Sequence, residues 1–264
     1  MRRLVRISII LFSLYAGICL LLFFNQESLI FHPKKLSKDF RFSFQSKFEE
    51  VNIKTPDNKT LNCILFKADS SRGVIFYLHG NAGALDRWGE IAKTYTALHY
   101  DVFMMDYRGY GKSEGNVSSQ DQFLSDVQLA YNFVKQTYGE DKIIVLGYSI
   151  GTGPAAYTTT NNHPRLLILQ APYYSLVDMM KHNYPVIPTF ILKYRFETNK
   201  YLQDCKTPIV IFHGNADEVI YYGSSVKLRP LLKKTDTLIT LNKQGHNGIT
   251  DNADYQNALV KILN

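Results

Sequence analysis

Cysteine is scarce in this chain, and the cysteines that are present show no spacing typical of metal ligands. They are Cys19, Cys63 and Cys205. Cys19 lies inside an apolar leader, so at most one disulfide, Cys63–Cys205, is available, and the sequence leaves open whether it forms. The pattern predicts neither a metal site nor a bound cofactor.

A basic stripe with stacking aromatics, internal repeats, low-complexity tracts and long linkers are also absent. The formal net charge of +7 comes from basic residues scattered along the chain, not from one stripe interleaved with stacking aromatics. This distribution argues against nucleic-acid binding. At 264 residues, with 45% hydrophobic and 20% charged residues, the composition instead fits one globular domain with a large core.

The N-terminal leader predicts a membrane anchor. Residues 7–24 carry no charge, and as a helix rising ~1.5 Å per residue they would extend about 27 Å, close to the hydrocarbon thickness of a bilayer. A cleaved signal peptide is the alternative, but the run exceeds the usual apolar region of such peptides and no A-x-A-like cleavage site follows it. We therefore predict an anchor over residues 1–24 and a juxtamembrane segment over residues 25–47.

Basic residues flank both ends of this predicted helix and bear on its orientation. The cluster nearer the helix favours a single-pass topology with the N-terminus inside and the following domain extracytoplasmic. The farther cluster weakens that inference, because its charges could instead rest against anionic headgroups. The nearer cluster is Arg2, Arg3 and Arg6, and the farther one is Lys34, Lys35, Lys38 and Arg41.

Beyond residue 47, short apolar runs alternate with helical patterns. Two strands separated by a turn-forming cluster at residues 56–59 predict a leading hairpin. The later alternation predicts an α/β fold, with a mostly parallel central sheet and helices on both faces. The predicted strands are residues 48–54, 61–67, 73–78, 101–105, 143–146, 166–169, 209–212 and 237–241. The predicted helices are residues 84–98, 119–138, 150–160, 222–232 and a final one at the C-terminus.

Residues 147–151 read G-Y-S-I-G between a buried strand and a predicted helix. A serine on a very sharp strand-to-helix turn needs small residues two positions to either side, and Gly147 and Gly151 meet that need. Such a turn leaves the Ser149 hydroxyl exposed at a helix N-terminus. The pattern is also compatible with an ordinary glycine-rich turn, so the rest of the chain must decide.

A serine nucleophile needs a base, and the base needs a carboxylate that fixes its tautomer. In this kind of fold the order along the chain is serine, acid, histidine. His246 satisfies this order, whereas His213 precedes the candidate acid Asp217. Glu218 is the alternative acid. The serine, the acid and the histidine all follow predicted strands, at the sheet edge where reactive groups collect.

Four motifs in order make the sequence resemble the α/β-hydrolase superfamily, and within it the single-pass, membrane-anchored α/β-hydrolase-domain proteins. They are H-G-N-x-G at residues 79–83, D-Y-R-G-Y-G-x-S at residues 106–113, G-x-S-x-G-x-G at residues 147–153 and G-H-N at residues 245–247. The resemblance covers nearly the whole chain and implies the α/β-hydrolase fold. Gly248 departs from the pattern, because many relatives have an acidic residue there, which puts any role of that carboxylate in doubt.

By this resemblance, the backbone N–H groups of Asn81 and Ile150 form an oxyanion hole. Such a hole needs two fixed donors, and Ile150 lies at a helix N-terminus whose dipole also favours negative charge. His79 is expected to brace its loop rather than take part in chemistry. A structural role, in fixing the loop after their strand, is expected for Asp106, Arg108 and Ser113.

Residues 171–205 leave the alternation of strands and helices and are rich in aromatic residues and proline. Insertions at this place in the superfamily form a cap over the site, so the resemblance implies a small cap within a hydrolase domain of residues 48–264. An apolar wall for an acyl chain is one interpretation of this segment. A plain pair of surface helices is the other.

The sequence thus predicts a serine hydrolase that cleaves carboxylic esters or thioesters through an acyl-enzyme, with Ser149, Asp217 and His246 as its triad. Lipid-like acyl substrates are favoured because the anchor keeps the site beside membrane lipid. A peptidase or amidase is the alternative enzyme, since the same triad cleaves amides. A catalytically inert membrane scaffold is the third hypothesis, because fold alone does not give function, and the intact triad argues against it.

Overall fold

The central sheet is built from the apolar runs of the sequence. In the computed structural model, which describes residues 1–263, each predicted strand is present within about two residues of its expected bounds. The strands are β1 (His32–Pro33), β2 (Phe48–Lys54), β3 (Thr60–Phe66), β4 (Val74–Leu78), β5 (Ala82–Gly83), β6 (Asp101–Met105), β7 (Ile143–Tyr148), β8 (Leu166–Gln170), β9 (Ile209–Gly214) and β10 (Thr237–Leu241).

One eight-stranded sheet has the order β10-β9-β8-β7-β4-β6-β3-β2. β2 and β3 form the predicted antiparallel hairpin, and β3 is also antiparallel to β6. From β6 onward the pairs through β4, β7, β8, β9 and β10 are all parallel. Every residue of β4, β6 and β7 is buried, as in a parallel sheet that is covered on both faces. The carboxyl ends of the parallel strands therefore meet at one edge.

Helices cover both faces of this sheet. They are α1 (Arg2–Phe24), α2 (Gln26–Ile30), α3 (Leu85–Trp88), α4 (Ala92–Thr96), α5 (Gln120–Tyr138), α6 (Thr152–Thr160), α7 (Leu176–Asn183), α8 (Thr198–Asp204), α9 (Gly223–Leu228) and α10 (Ala253–Leu263). Buried side chains of α5, α6 and α8 share one hydrophobic core. Those of α3, α4 and α10 share a second core. The two cores lie on opposite sides of the sheet because successive residues of a strand point to opposite faces.

The helix predicted over residues 84–98 is present over residues 85–96, but it is not α-helical throughout. The chain forms α3, a 3-10 turn over Gly89–Ile91 and then α4. An added Cβ at Gly89 would lie 2.5 Å from the ring of Phe44, so close packing requires glycine at this position. Glycine in a helix interior is unfavourable by about 1 kcal/mol relative to alanine, and the 3-10 turn begins at this residue. The predicted helices 150–160 and 222–232 also include 3-10 turns, at Ser149–Gly151 and Arg229–Leu231.

The N-terminal helix and the segment after it differ in their contacts. α1 has no buried residue and is long and apolar enough to cross a membrane, extending about 34 Å at ~1.5 Å per residue. The next residues fold against the rest of the chain, because β1 pairs in parallel with β5 and both Phe31 and Phe42 are buried. The segment predicted to be juxtamembrane is therefore packed on the domain that follows it.

The predicted cap lies between β8 and β9. It consists of α7, a 3-10 turn over Thr189–Ile191 and α8, and Tyr194 and Phe196 anchor it because both are fully buried. Cys205 at the end of the cap and Cys63 in β3 are buried free thiols, so the one disulfide available to the sequence is not formed.

Candidate active site

Ser149 occupies a strained turn directly after β7. Its φ of +53° lies in the left-handed region that residues other than glycine rarely adopt. An added Cβ at Gly147 would lie 2.5 Å from the carbonyl oxygen of Gly151, and one at Gly151 would lie 2.2 Å from that of Leu78. Backbone contact inside the turn and with β4 thus explains both glycines. The turn holds Ser149 at the carboxyl edge of the sheet.

His246 places its imidazole between Ser149 and Asp217. Its Nδ1 lies 2.8 Å from Oδ2 of Asp217, and its Nε2 lies 3.0 Å from Oγ of Ser149. The three side chains come from the chain just beyond β7, β9 and β10, and all three residues are buried. The structure therefore brings the predicted serine, histidine and acid into one hydrogen-bonded chain. Glu218, the alternative acid, instead lies beside Gly245.

The Asp217 carboxylate is held by its own loop. Oδ1 accepts the backbone N–H groups of Val219 and Ile220 at 2.9 and 2.8 Å, and Oδ2 lies 3.3 Å from Nε2 of His213. Burial by itself raises the pKa of Asp217, but hydrogen bonds from His213, His246 and the backbone outweigh it and hold that pKa well below its ordinary value. The ionised carboxylate favours a proton on Nδ1 of His246, which leaves Nε2 free to accept the serine's proton.

Two residues support the hydrogen bonds from Asp217 through His246 to Ser149, and the sequence did not predict that role for either. His213 is fully buried, with Nδ1 2.7 Å from Oγ of Ser225 and Nε2 2.9 Å from the carbonyl oxygen of Ile220. It braces the loop that carries the acid. The Tyr148 hydroxyl donates to the carbonyl oxygen of His246 at 2.7 Å, and burial raises the pKa of Tyr148, so this hydroxyl keeps its proton. The position of His213 near the end of a buried strand, β9, was the one available signal.

The two expected oxyanion-hole donors lie at the ends of neighbouring strands. Asn81 follows β4 and Ile150 follows β7, and these strands pair in parallel. The Asn81 side chain is fixed on three sides, since Oδ1 accepts the N–H of His32 and the hydroxyl of Tyr110 at 3.2 and 3.0 Å, and Nδ2 donates to the carbonyl oxygen of Ile30. These contacts hold in place the loop that carries the Asn81 backbone N–H. The oxyanion-hole role of both donors stays a prediction.

The other polar residues of the motifs hold loops in place. His79 is fully buried and its ring centroid lies 4.3 Å from that of Tyr107. The Ser113 hydroxyl donates to the carbonyl oxygen of Asp106 at 2.6 Å, and Arg108 binds two aspartate carboxylates at 2.6 and 2.7 Å. Burial raises the pKa of Asp106, which also accepts a backbone N–H. These positions agree with the structural roles expected for all four motif residues.

No group of three or more His, Cys, Asp or Glu side chains within residues 1–263 is arranged to hold a metal ion.

Gly248, where many relatives carry an acidic residue, has a φ of +78° and open space around an added Cβ. The left-handed backbone suits glycine at this position. The departure from the family pattern therefore leaves the turn after His246 intact.

Comparison with known proteins identifies the family. A family model described as "Serine aminopeptidase, S33" matches residues 69–196, a part that includes Asn81 and Ser149. Protein bem46 of Schizosaccharomyces pombe is 31% identical over 188 residues, which cover 67% of this chain and 63% of that protein. Lysophosphatidylserine lipase ABHD12 of Danio rerio is 30% identical over 190 residues, which cover 64% of this chain and 50% of that protein.

Comparison with solved structures also supports the α/β-hydrolase fold. The esterase Pf2001 of Pyrococcus furiosus superposes with a TM-score of 0.70 at 18% sequence identity, covering 89% of this chain and 97% of that one. At this identity the likeness concerns the fold alone. The sheet order, the serine turn after β7 and these relatives agree with the motifs, and the chain belongs to the α/β-hydrolase superfamily.

Proposed function

We propose that the protein is a serine hydrolase that cleaves carboxylic esters or thioesters of lipid-like acyl groups. The observation that carries the proposal is the hydrogen-bonded chain from Asp217 through His246 to Ser149, with contacts of 2.8 and 3.0 Å. Nucleophile, base and orienting acid within hydrogen-bond reach are the geometric signature of nucleophilic acyl transfer. A relative named as a lysophosphatidylserine lipase supports ester hydrolysis.

The first half-reaction forms the acyl-enzyme. Oγ of Ser149 attacks the acyl carbonyl carbon while Nε2 of His246 takes its proton. The carbonyl electrons move to the oxygen, and the backbone N–H groups of Asn81 and Ile150 stabilise the resulting oxyanion. The Asp217 carboxylate stabilises the imidazolium through Nδ1–H. When the intermediate collapses, Nε2 gives its proton to the departing alcohol or thiol.

The second half-reaction releases the acid. His246 takes a proton from a water molecule, and the hydroxide attacks the acyl carbonyl carbon. Collapse of this second intermediate returns the proton from Nε2 to Oγ of Ser149. Acid and free enzyme are the products, so every step uses groups of this chain and one water.

A peptidase or amidase is the second candidate, because the matching family model is described as a serine aminopeptidase. An aminopeptidase needs a carboxylate that grips a free α-amine. In the cap, Asp178 binds Lys227 and Glu197 binds Lys200, so these carboxylates already have cationic partners. A catalytically inert scaffold is disfavoured by the same hydrogen-bonded chain.

Labelling with a fluorophosphonate, followed by a substrate panel, tests the proposal. The wild type should react with the probe, whereas Ser149→Ala should not. The panel then compares p-nitrophenyl esters, an acyl thioester and an aminoacyl p-nitroanilide. Labelling of Ser149→Ala as strong as that of the wild type would remove Ser149 as the nucleophile. Faster turnover of the anilide than of any ester would favour the peptidase.

We also propose that α1 anchors the enzyme in a membrane with its N-terminus inside and the hydrolase domain extracytoplasmic. No residue of the helix is buried and the helix is apolar, which suits lipid contact. Arg2, Arg3 and Arg6 at its start support this orientation. An anchored site meets acyl substrates that are themselves in the membrane.

A further inference from the structure

An apolar groove of about 430 Å³ lies between the N-terminal helices and the cap. Leu22 of α1 with Leu29 and Ile30 of α2 line one side, and Met180 of α7 with Ile187 line the other. The volume falls within the range of about 300–1,000 Å³ that is usual for small-molecule sites. The end of the predicted anchor is thus itself a wall of a cavity.

Buried polar contacts fix the two walls to each other. Gln26 of α2 is 5% exposed. Its Nε2 donates to the carbonyl oxygen of Ile191 at 2.7 Å, and its Oε1 accepts the N–H of Lys193 at 2.8 Å. The Tyr194 hydroxyl donates to Glu27 at 3.1 Å. Separating helix and cap would leave buried polar groups unpaired, which is unfavourable. The segment after the anchor is therefore part of the groove, not a loose tether.

Both walls also touch the loops of the candidate active site. Ile30, which lines the groove, accepts a hydrogen bond from the side chain of Asn81, an expected oxyanion donor. On the other side, Met179 lines the groove and its sulfur lies 3.8 Å from Oγ of Ser224, at the start of α9 beyond Asp217. The walls of the groove thus contact the loop that carries the expected oxyanion donor and the helix that follows the acid.

The outer rim of the groove is suited to lipid. Residues 183–192 include no charged side chain, and Tyr184, Val186 and Phe190 are 63%, 74% and 84% exposed. A cluster of exposed large apolar side chains marks a contact with a membrane or a protein. The hydroxyl of Tyr15, inside α1, donates to the carbonyl oxygen of Val186 at 2.7 Å. Because this rim lies against the predicted anchor, the membrane is the contact that the structure favours.

From these observations, and resting on the proposed function, we propose that the groove binds the acyl chain of a membrane lipid ester that enters from the bilayer. The anchor helix then has two roles, since it holds the enzyme at the membrane and forms one wall of the acyl site. The substrate class is an amphiphilic acyl ester whose chain lies between Leu22, Leu29 and Met180 and whose carbonyl reaches Ser149. α1 and α2 therefore contribute to the enzyme's selectivity for acyl-chain length.

The test compares two matched leucine-to-tryptophan substitutions in the full-length protein, reconstituted in phosphatidylcholine nanodiscs. Leu29→Trp narrows the groove, whereas Leu21→Trp alters a similarly exposed leucine, 66% against 54%, that is not part of the lining. The readout is the ratio of kcat/KM for p-nitrophenyl decanoate to that for p-nitrophenyl acetate. Leu29→Trp should lower this ratio by at least about tenfold, since one methylene in an apolar pocket is worth about 10–200-fold. Leu21→Trp should give the wild-type ratio.

A binding measurement keeps this proposal separate from the proposed function. In Ser149→Ala, a fluorescent fatty acid should bind, and adding Leu29→Trp should weaken its affinity by at least about tenfold, as for the ratio above. If the wild type hydrolyses no ester and resists the fluorophosphonate, the proposed function fails while fatty-acid binding still decides the groove. Equal ratios or equal affinities for the two tryptophan variants overturn the acyl site. A dimer that Leu29→Trp dissociates would assign the groove to a second copy of the chain and overturn it too.

Discussion

Replacing Asp217 by asparagine is a sharp test of the proposed triad, because the structure fixes which way the new amide must face. Oδ1 of Asp217 accepts the N–H groups of Val219 and Ile220 at 2.9 and 2.8 Å. If the amide NH2 group faced these donors, two backbone groups would lose their acceptor, at about 1–3 kcal/mol each. The amide oxygen therefore stays on the backbone side, and the NH2 group faces His246.

An NH2 group beside Nδ1 of His246 donates to it, which moves the imidazole proton to Nε2. Nε2 lies 3.0 Å from Oγ of Ser149, and once protonated it can no longer take the serine's proton. We expect kcat to fall about 10⁴-fold, the size of the effect for this substitution in a serine protease triad. At 1.36 kcal/mol per decade this is about 5.4 kcal/mol of lost transition-state stabilisation.

The assay measures turnover of a short p-nitrophenyl ester and the rate of fluorophosphonate labelling, with thermal melting to verify that the variant folds. Glu218→Gln is the matched control, because it makes the same carboxylate-to-amide change one residue later and should alter turnover little. Asp217→Asn with more than about a tenth of wild-type turnover would refute the tautomer argument. An inactive Glu218→Gln would move the acid by one residue.

Four further outcomes are expected. Ser149→Ala and His246→Ala should each abolish hydrolysis and leave the melting temperature near that of the wild type, because the two side chains act as one unit. Gly151→Ala should lower the free energy of unfolding by about 3 kcal/mol in urea titrations, because its Cβ would lie 2.2 Å from a backbone carbonyl oxygen. Hydrogen bonds lower the pKa of Asp217 in the folded state. The ionised Asp217 carboxylate should therefore make its full contribution to the free energy of unfolding above about pH 4, and this contribution should decline as the pH falls toward the folded-state pKa. The full-length protein should stay with membranes in a high-salt wash, and protease added from the extracytoplasmic side should reach its hydrolase domain. Removal of residues 1–24 should release an active enzyme with a weaker preference for long acyl chains.

The sheet could be predicted well from the sequence because a parallel sheet buries its strands on both faces. Such strands appear as short apolar runs between turn residues, and β4, β6 and β7 are of this kind. The 3-10 turn over Gly89–Ile91 inside the helix predicted over residues 84–98 was not foreseen from the sequence, and neither was the close packing of Gly89 against Phe44. That contact joins the core to the segment after the anchor, and no local pattern records it.

The proposed nucleophile, base and acid could be predicted because order along the chain restricts the choice to few residues. The residues that hold these three side chains in place could not be predicted. Tyr148 acts through a hydroxyl bonded to the His246 backbone, and His213 acts through two ring nitrogens buried under the acid loop. Residues 25–36 gave still less signal, since their two-residue strand β1 pairs with the equally short β5. Side-chain partners far apart in the chain leave no periodicity to detect.

The contact between the anchor and the cap indicates how deep the tip of the cap lies in the membrane. Tyr15 lies about 13 Å along the axis before the end of α1 at Phe24, so its contact with Val186 places the tip of the cap beside the interior part of a membrane-spanning helix. A loop at that depth must lack charge and satisfy its own backbone. Residues 183–192 carry no charge, and their prolines remove two N–H donors. The N–H groups of residues 184, 187, 191 and 192 bond to carbonyl oxygens within four residues. Much of the tip's backbone is thus paired within the chain or lacks a donor, which suits the proposed entry of lipid into the groove.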